Sequence, residues 1–349
     1  MRWPAANRDP LERIRTAVRD EGRWDCEQWS RRKNGEEYAE RVSLSAIPDD
    51  ASSVHALLKN ADAAMYRAKE QGKANYQFFT AELNAEARQR MVIKNGLSKA
   101  LERQEFALHY QPKCDLATGR LTGAEALLRW CSPELGMVSP AKFIPVMEDT
   151  GLIGIVGDWV LEAASRQYKL WRDSGYPHMR VAVNLSVRQL RQGNLTRTVE
   201  DVLMRVGIEP SGLELEITES MIMRDTEHAV AVLRSLSDMG IHLAMDDFGT
   251  GYSSLSYLKR FPLHTIKIDR SFINDIAWDP DDREIIRSII TMGHSLRRRI
   301  VAEGVETEDQ RVLLRKLRCD EMQGYLLSPP MPPADIDRML ASTRHGAEV

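Results

Sequence analysis

The sequence predicts an α/β protein whose main domain is a closed, largely parallel barrel. From Phe106 onward, short apolar segments alternate with longer segments of helical periodicity, the pattern of a parallel α/β architecture. Eight such strand candidates follow one another within about 230 residues, which fits a closed barrel. An open doubly wound sheet is the rival, but it usually carries a glycine-rich phosphate loop after its first strand, and none is present.

The eight candidate strands are short and mostly apolar. They are Phe106 to Gln111, Gly123 to Trp130, Arg180 to Ser186, Leu213 to Thr218, Ile241 to Asp246, Thr265 to Asp269, Ile300 to Glu303 and Glu321 to Tyr325. We expect the segments between them to form the helices that cover the barrel.

Length and composition limit the classes of protein to consider. The chain has 349 residues, enough for one large domain with a smaller appendage or for two ordinary domains. With 43% hydrophobic and 28% charged residues it has the composition of a soluble globular protein. A net charge of −3 gives no sign of a nucleic-acid or anionic-membrane binder.

Cysteine usage and hydropathy indicate a cytoplasmic chain. The four cysteines, Cys26, Cys114, Cys131 and Cys319, show neither metal-ligand spacing nor the density of a disulfide scaffold. The most apolar stretch, Gly151 to Ala164, contains Asp158 and is too short to span a membrane. We therefore expect no membrane segment, no signal peptide and a reducing cytosol.

Residues 10–50 contain one local signal, the glycine-centred RRKNG between two short extended stretches, which predicts a β-hairpin. This region resembles the C-terminal part of a PAS sensor domain, with matches at Gly22, Trp24, Trp29 and Arg31 to Glu36. The N-terminal half of such a domain is absent, so we expect no ligand pocket in this fragment.

Residues 51–80 predict an amphipathic helix, a break at Gly72 and a short strand. The run NADAAMYRAKEQGKANY resembles the closing helix and strand of a GGDEF diguanylate cyclase domain, but no cyclase core precedes it. We expect no cyclase activity. Residues 81–98 predict a connector helix into a barrel domain over 99–340, and the N-terminal fragments form a small α+β region.

Two adjacent carboxylates, Asp246 and Asp247, end the apolar run Ile241 to Met245 and precede Gly249 and Gly251, which allow a sharp turn. Burying a carboxylate without a partner is costly, so the pair requires a lysine, an arginine or a divalent cation. In isolation, two such residues could equally belong to a loop or a helix cap.

The other strand candidates repeat this pattern of polar residues near their C-terminal ends. The residues are Glu125, Arg129, Asn184, Glu214, Glu216, Lys267, Asp269, Glu303 and Gln323. In barrels of this class, catalytic residues come from the C-terminal ends of several strands. The pattern therefore predicts a polar site at one end of the barrel, and a network of ion pairs without chemistry is the alternative.

The residue types favour Mg²⁺ or Mn²⁺ over Zn²⁺, because the set contains carboxylates and an asparagine but no histidine or cysteine. Two such cations about 3.5–4 Å apart would activate a water for attack on a phosphate ester. Asp246 is the natural bridge, Lys267 could hold the attacking water and Arg129 could pair with a phosphate. Enolisation on a carboxylate-bound Mg²⁺, with Lys267 as base, uses similar parts and stays open.

Residues 95 to about 335 resemble the EAL family of cyclic di-GMP phosphodiesterases along their whole length. The motifs that carry the resemblance are YQPK from Tyr110, EALLRW from Glu125, NLS from Asn184, ELEITES from Glu214, DDFGTGYSSLSYLKRFP from Asp246, KIDRSF from Lys267, AEGVE from Ala302 and QGY from Gln323. The resemblance implies a modified TIM (β/α)8 barrel with one reversed strand. It also implies hydrolysis of cyclic di-GMP to linear pGpG with two Mg²⁺ or Mn²⁺ ions.

The same resemblance implies roles for individual residues. A first cation would be ligated by Glu125, Asn184, Glu216 and Asp246, and a second by Asp246 and Asp247. Lys267 would position the hydrolytic water, and Glu303 would support the metal and water network. The implied catalytic residues are Lys267, Glu303, Glu125 and Asp247. Substrate would contact Gln111, Arg129 and Gln323. Glu219, Asp269 and Glu306 would support the ligands from behind.

The loop Phe248 to Lys259 resembles the family's regulatory loop, which couples the metal site to a dimer interface, so the resemblance implies a homodimer through the EAL domain. An active phosphodiesterase is favoured because every ligand and Lys267 are present together. A non-catalytic cyclic di-GMP receptor or interaction module is the alternative, usually marked by loss of Glu125, Asp246 or Lys267. An enolising barrel enzyme would not predict this set of motifs.

Overall fold

The computed structural model describes residues 23–31, 37–45, 81–191, 193–223, 226–249 and 258–344. The chain forms two compact units, Met1–Val92 and Ile93–Val349. The GGDEF-like region, 51–80, lies outside the described residues, as does most of the loop predicted to be regulatory, at 250–257. The assignments of 10–50 to a PAS-like and 51–80 to a GGDEF-like fragment stay predictions.

The N-terminal unit contains the hairpin that the sequence predicts. Strand β1 (Arg23–Arg31) pairs antiparallel with β2 (Glu37–Ser45), and Arg31 lies opposite Glu37. Helix α1 (Ala81–Ala100) follows where the connector helix is expected. Its last turns bury Ile93, Leu97 and Ala100, which are spaced to share one helix face.

The second unit is a closed eight-stranded barrel, as predicted. The barrel strands are β3 (Phe106–Asp115), β4 (Leu121–Ser132), β6 (Arg180–Asn184), β7 (Leu213–Thr218), β8 (His242–Phe248), β9 (Thr265–Ile268), β10 (Arg299–Ala302) and β11 (Glu321–Gln323). Each candidate strand is present, with bounds shifted by a few residues. The sequence did not predict the short β5 (Gly136–Val138), which pairs antiparallel with the far end of β4.

Strand β3 is the reversed strand that the family resemblance implies. It pairs antiparallel with both β4 and β11, and these two pairings close the barrel, whereas the other neighbouring barrel strands are parallel. The connection from β3 to β4 is only a tight turn, too short for the crossover that parallel strands need. Asp115 Oδ1 accepts hydrogen bonds from the backbone N–H groups of Ala117 and Thr118, at 3.1 and 2.9 Å, and so stabilises this turn.

Helices cover the outside of the barrel. They are α2 (Pro140–Thr150), α3 (Leu152–Asp173), α4 (Val187–Arg191), α5 (Leu195–Val206), α6 (Glu219–Met223), α7 (Thr226–Asp238), α8 (Arg270–Asn274), α9 (Pro280–Ser295), α10 (Glu308–Lys316) and α11 (Pro333–Arg344). In α3, Val156, Leu161 and Tyr168 are among the residues that pack into the core. Among the described residues, no helix is both long and apolar enough to cross a membrane.

Candidate active site

Four carboxylates surround one lysine inside the barrel, near the C-terminal ends of its parallel strands. The Nζ of Lys267 lies 2.7 Å from Glu216 Oε2, 2.7 Å from Glu303 Oε1, 3.1 Å from Asp246 Oδ1 and 3.5 Å from Glu125 Oε2. These five side chains, which we call the Lys267 cluster, come from β4, β7, β8, β9 and the residue after β10. The sequence predicts all five as site residues, and the structure brings them together.

Charge in the Lys267 cluster is unbalanced, with four carboxylates against one ammonium. Burial alone would lower the pKa of Lys267, but the nearby carboxylates, Asp246 and Glu125 foremost, raise it well above its ordinary value. The pKa of Glu216 moves the other way: burial and the charge of Glu125 raise it well above the ordinary range. Burial also raises the pKa of Glu303 to about 8, against the opposing pull of Lys267.

Glu125 is held by two amides. Asn184 Nδ2 donates to Glu125 Oε1 and Gln323 Nε2 donates to Glu125 Oε2, each at 2.6 Å. Gln323 Nε2 also lies 3.0 Å from Gln111 Oε1, and Gln111 Nε2 donates to the backbone oxygen of Ser328 at 3.2 Å. Burial opposes ionisation of Glu125, yet Lys267 and these hydrogen bonds lower its pKa. The amides therefore keep one carboxylate of the cluster charged and fixed in orientation.

The adjacent Asp246 and Asp247 reach the same site because β8 is irregular at its end. Side chains of neighbouring strand residues normally point to opposite faces, but the pairing of β8 with β9 shifts register between Met245 and Phe248. Asp247 has a φ of 53°, in the left-handed region that aspartate tolerates better than most residues. As a result, carboxylate oxygens of Asp246, Asp247 and Glu303 lie within 4.8 Å of one another and could hold a metal ion.

The three residues predicted to support the ligands occupy different environments. Asp269 caps α8 by accepting from the Ser271 N–H at 2.9 Å, and together with burial and Asp246 it raises the pKa of Asp247. Glu219 is buried, and neither of its carboxylate oxygens accepts a hydrogen bond from the described residues. Glu306 is exposed, and its backbone N–H donates to Gln310 Oε1 at 2.8 Å. Asp269 thus lies beside the site, whereas a supporting role for Glu306 stays a prediction.

A second polar layer lies below the Lys267 cluster, toward the opposite end of the barrel. Lys113 of β3 forms a short ion pair with Glu214 of β7, and both side chains are buried. Lys113 Nζ also lies 3.5 Å from Glu216 Oε1. The pattern of polar residues near strand ends includes Glu214 but not Lys113, although the alternation of Lys113 with Gln111 along β3 indicates an inward-facing position.

An apolar cavity of about 190 Å³ opens beside the cluster, between β4, β6 and the helices α2 and α3. Its walls include Ile144, Val156 and Gly157, and its polar rim includes Asn184 and Arg129. Arg129 Nη1 donates to the backbone oxygen of Leu128 at 3.0 Å, and burial lowers the pKa of the guanidinium. The cavity could therefore hold a flat apolar group next to a positive charge and the carboxylates.

The donor atoms fit hard divalent cations. The side chains predicted to ligate metal offer carboxylate oxygens and one amide oxygen, which are the ligands that Mg²⁺ and Mn²⁺ prefer. Glu216 Oε1 and Asp246 Oδ1 are buried and accept no hydrogen bond from the part of the chain that the structure describes, although a lysine ammonium lies 3.5 and 3.1 Å away, respectively. Buried acceptors without hydrogen bonds and an excess of negative charge are both relieved by bound cations.

Comparisons with known proteins agree with this geometry. Residues 94–330 match the model of the EAL domain family. The chain is 47% identical over 301 residues to the bifunctional diguanylate cyclase/cyclic di-GMP phosphodiesterase MucR of Pseudomonas aeruginosa, covering 86% of this chain and 44% of MucR. It is 38% identical over 297 residues to the cyclic di-GMP phosphodiesterase PdeR of Escherichia coli, covering 85% of this chain and 45% of PdeR. The chain thus spans less than half the length of each relative.

A solved structure of the PaMucR phosphodiesterase in complex with c-di-GMP is also similar. It aligns with a TM-score of 0.68 and 48% identity, and the alignment covers 70% of this chain and 99% of that one.

Proposed function

Because this chain belongs to the EAL domain family, we propose that it hydrolyses cyclic di-GMP to linear pGpG at the mouth of its barrel. The observation that carries the proposal is the Lys267 cluster, in which one buried lysine meets four carboxylates from separate strands. MucR and PdeR are named as cyclic di-GMP phosphodiesterases, and the similar PaMucR structure contains c-di-GMP.

Two divalent cations, Mg²⁺ or Mn²⁺, complete the proposed site. The first would be held by Glu125, Asn184, Glu216 and Asp246, and the second by Asp246 and Asp247. Asn184 Nδ2 already donates to Glu125, which leaves its amide oxygen as the ligand atom. When bound, such cations activate water and stabilise negative charge on the phosphate.

The side chains of this chain then orient the reactants. Lys267 is the ammonium nearest the carboxylates and would donate a hydrogen bond to the attacking water, holding it in line with the ester bond. Water adds to phosphorus, the bond from phosphorus to one 3′ oxygen breaks, and the leaving oxygen takes up a proton. The linear product keeps a 5′ phosphate.

Substrate binding is assigned to groups around the mouth. Arg129 would pair with a phosphate, because a half-buried guanidinium binds phosphate strongly. One guanine base would occupy the apolar cavity beside Arg129 and Asn184. Gln111 and Gln323, which already bond each other and Glu125, would orient the neighbouring ester group.

The proposal is tested by incubating the purified chain with cyclic di-GMP in Mg²⁺, in Mn²⁺ and in EDTA, followed by chromatography. We expect pGpG in both metals and none in EDTA. E125Q should abolish turnover and remain folded, whereas E134Q, which removes an exposed carboxylate farther along the chain, should keep full turnover. Binding without cleavage in every metal would favour the alternative function, a cyclic di-GMP receptor or interaction module.

Two further assignments rest on the sequence. The regulatory-loop motif at 248–259 supports a homodimer through the EAL domain, which light scattering of the purified chain would detect. The cysteine pattern supports a cytoplasmic location.

A further inference from the structure

Lys113 is a buried cation that the proposed reaction does not use. It is 3% exposed and lies on the reversed strand β3, opposite Gly123 of β4 and Gln323 of β11. Gln111, two residues earlier on the same face of β3, lies opposite Glu125. Because β3 runs against the other strands, Lys113 lies one layer deeper in the barrel than the Lys267 cluster.

The ammonium of Lys113 touches two glutamates of β7. It forms a short ion pair with Glu214 and lies 3.5 Å from Glu216 Oε1. The other oxygen of Glu216, Oε2, lies 2.7 Å from Lys267 Nζ. Glu216, which is 0% exposed, is therefore held between one lysine in its own layer and another from below.

We propose that Lys113 is a positioning residue for the metal site: its ammonium fixes the orientation of the Glu216 carboxylate, so that Glu216 can ligate a cation. This inference rests on the proposed function, because it takes Glu216 as a ligand. Lys113 itself touches neither cation nor substrate.

The physical reason is the freedom of a glutamate side chain. With Lys267 as its sole cation, Glu216 could turn about its terminal bond toward that lysine. A second cation at Oε1 defines the plane of the carboxylate before a metal arrives. Groups that orient a metal ligand in this way typically change metal affinity or activity by about 10–100-fold when they are removed.

A purely structural role for Lys113 is the competing explanation, because Lys113 also neutralises buried Glu214. Removing Lys113 alone would leave Glu214 without its counter-charge and could destabilise the fold for that reason. The double variant K113M/E214M removes both charges with side chains of similar size, which is often tolerated in a protein core. The single variant E214M keeps Lys113 beside Glu216 and serves as the matched control.

The experiment measures Mn²⁺ affinity of the purified full chain by calorimetry without cyclic di-GMP, alongside urea unfolding. We expect K113M/E214M to unfold near the wild-type midpoint and to bind Mn²⁺ about 10–100-fold more weakly. E214M should bind Mn²⁺ within about threefold of wild type. In turnover, the double variant should need correspondingly more Mn²⁺ for half-maximal rate, while saturating Mn²⁺ restores most of the rate.

Wild-type Mn²⁺ affinity in a folded K113M/E214M would overturn the inference, as would equal weakening in E214M. If K113M/E214M does not fold, K113Q takes its place with the same expectation of weaker Mn²⁺ binding. Glutamine is one bond shorter than lysine and carries no charge, so it cannot hold the Glu216 carboxylate as the ammonium does. Failure of the proposed function is a separate result: a wild-type chain that binds Mn²⁺ but does not cleave cyclic di-GMP leaves the affinity comparison intact.

Discussion

Lys267 Nζ lies 2.7 Å from Glu216 Oε2, and both side chains are 0% exposed. A buried ion pair of this kind is weak evidence for stability, because desolvation of the two charges offsets much of their attraction. Here the pair also sits among three further carboxylates, which a single ammonium does not neutralise. The arrangement is better explained as a site prepared for cations than as a device for stabilising the barrel.

Lys267 should be required for turnover and, without metal, for stability. K267M leaves four carboxylates without their shared cation, so we expect turnover to fall by about 100-fold or more. In EDTA the free energy of unfolding should fall by about 3–5 kcal/mol. Urea denaturation should show a smaller loss in Mn²⁺, because the cations replace part of the missing charge. K316M, at an exposed lysine of α10, is the control, and equal losses with and without Mn²⁺ would contradict this explanation.

The apolar cavity should govern substrate affinity rather than chemistry. I144W places an indole in the space of about 190 Å³ beside Arg129 and leaves the five side chains of the Lys267 cluster unchanged. We expect KM for cyclic di-GMP to rise about tenfold with kcat nearly unchanged, because the substitution weakens the binding of substrate and transition state equally. Steady-state kinetics measure both, and I155W, at a residue of α3 that is 59% exposed, should leave KM as it is. A large fall in kcat with unchanged KM would show that the cavity does not bind the substrate.

The histidine pair at the far end of the barrel should make stability depend on pH. His242 and His264 have ring centroids 4.6 Å apart, and His264 Nδ1 accepts from the Leu243 N–H at 3.1 Å. Burial, then the charge of Arg180, lowers the pKa of His242 from 6.5 to about 4. The unfolded chain therefore binds more protons in this range, and the stabilisation is present above pH 6.5 and is lost as pH falls toward 4.

The size of this effect is limited by solvent, since His242 is only half-buried. We expect the wild type to lose up to about 1 kcal/mol more than H242Q between pH 7.5 and 5.5, after discounting for screening. Urea denaturation at the two pH values measures the difference. Glu214 and Lys113 also face His242. The change in the free energy of unfolding between the two pH values is therefore measured for each protein first, and the two changes are then compared. Parallel pH profiles for the two proteins would show that His242 does not contribute.

The barrel was predictable because its strands are short apolar runs whose polar residues recur near one end. Glu125, Asn184, Glu216 and Lys267 could be placed together because parallel strands expose corresponding ends at one mouth. Strand β5 was missed because three residues give too little periodicity to recognise.

Other features of the site depend on geometry that the sequence does not contain. Asp246 and Asp247 share the site only through a register shift and a positive φ at Asp247. The Lys113 contact with Glu216 depends on the exact pairing of the reversed strand with its neighbours. Strand pairing and side-chain depth are set by the packed barrel as a whole, not by local pattern.

The central claim, that the buried carboxylates form a two-cation site, is tested most directly by electron paramagnetic resonance of the chain titrated with Mn²⁺. We predict that the wild type binds two Mn²⁺ ions close enough for their spins to couple. D246N, which lacks the proposed bridging carboxylate, should lose the coupled signal. D149N, at an exposed aspartate, should keep it. A wild-type chain that binds no Mn²⁺, or a coupled signal that survives in D246N, would contradict the account.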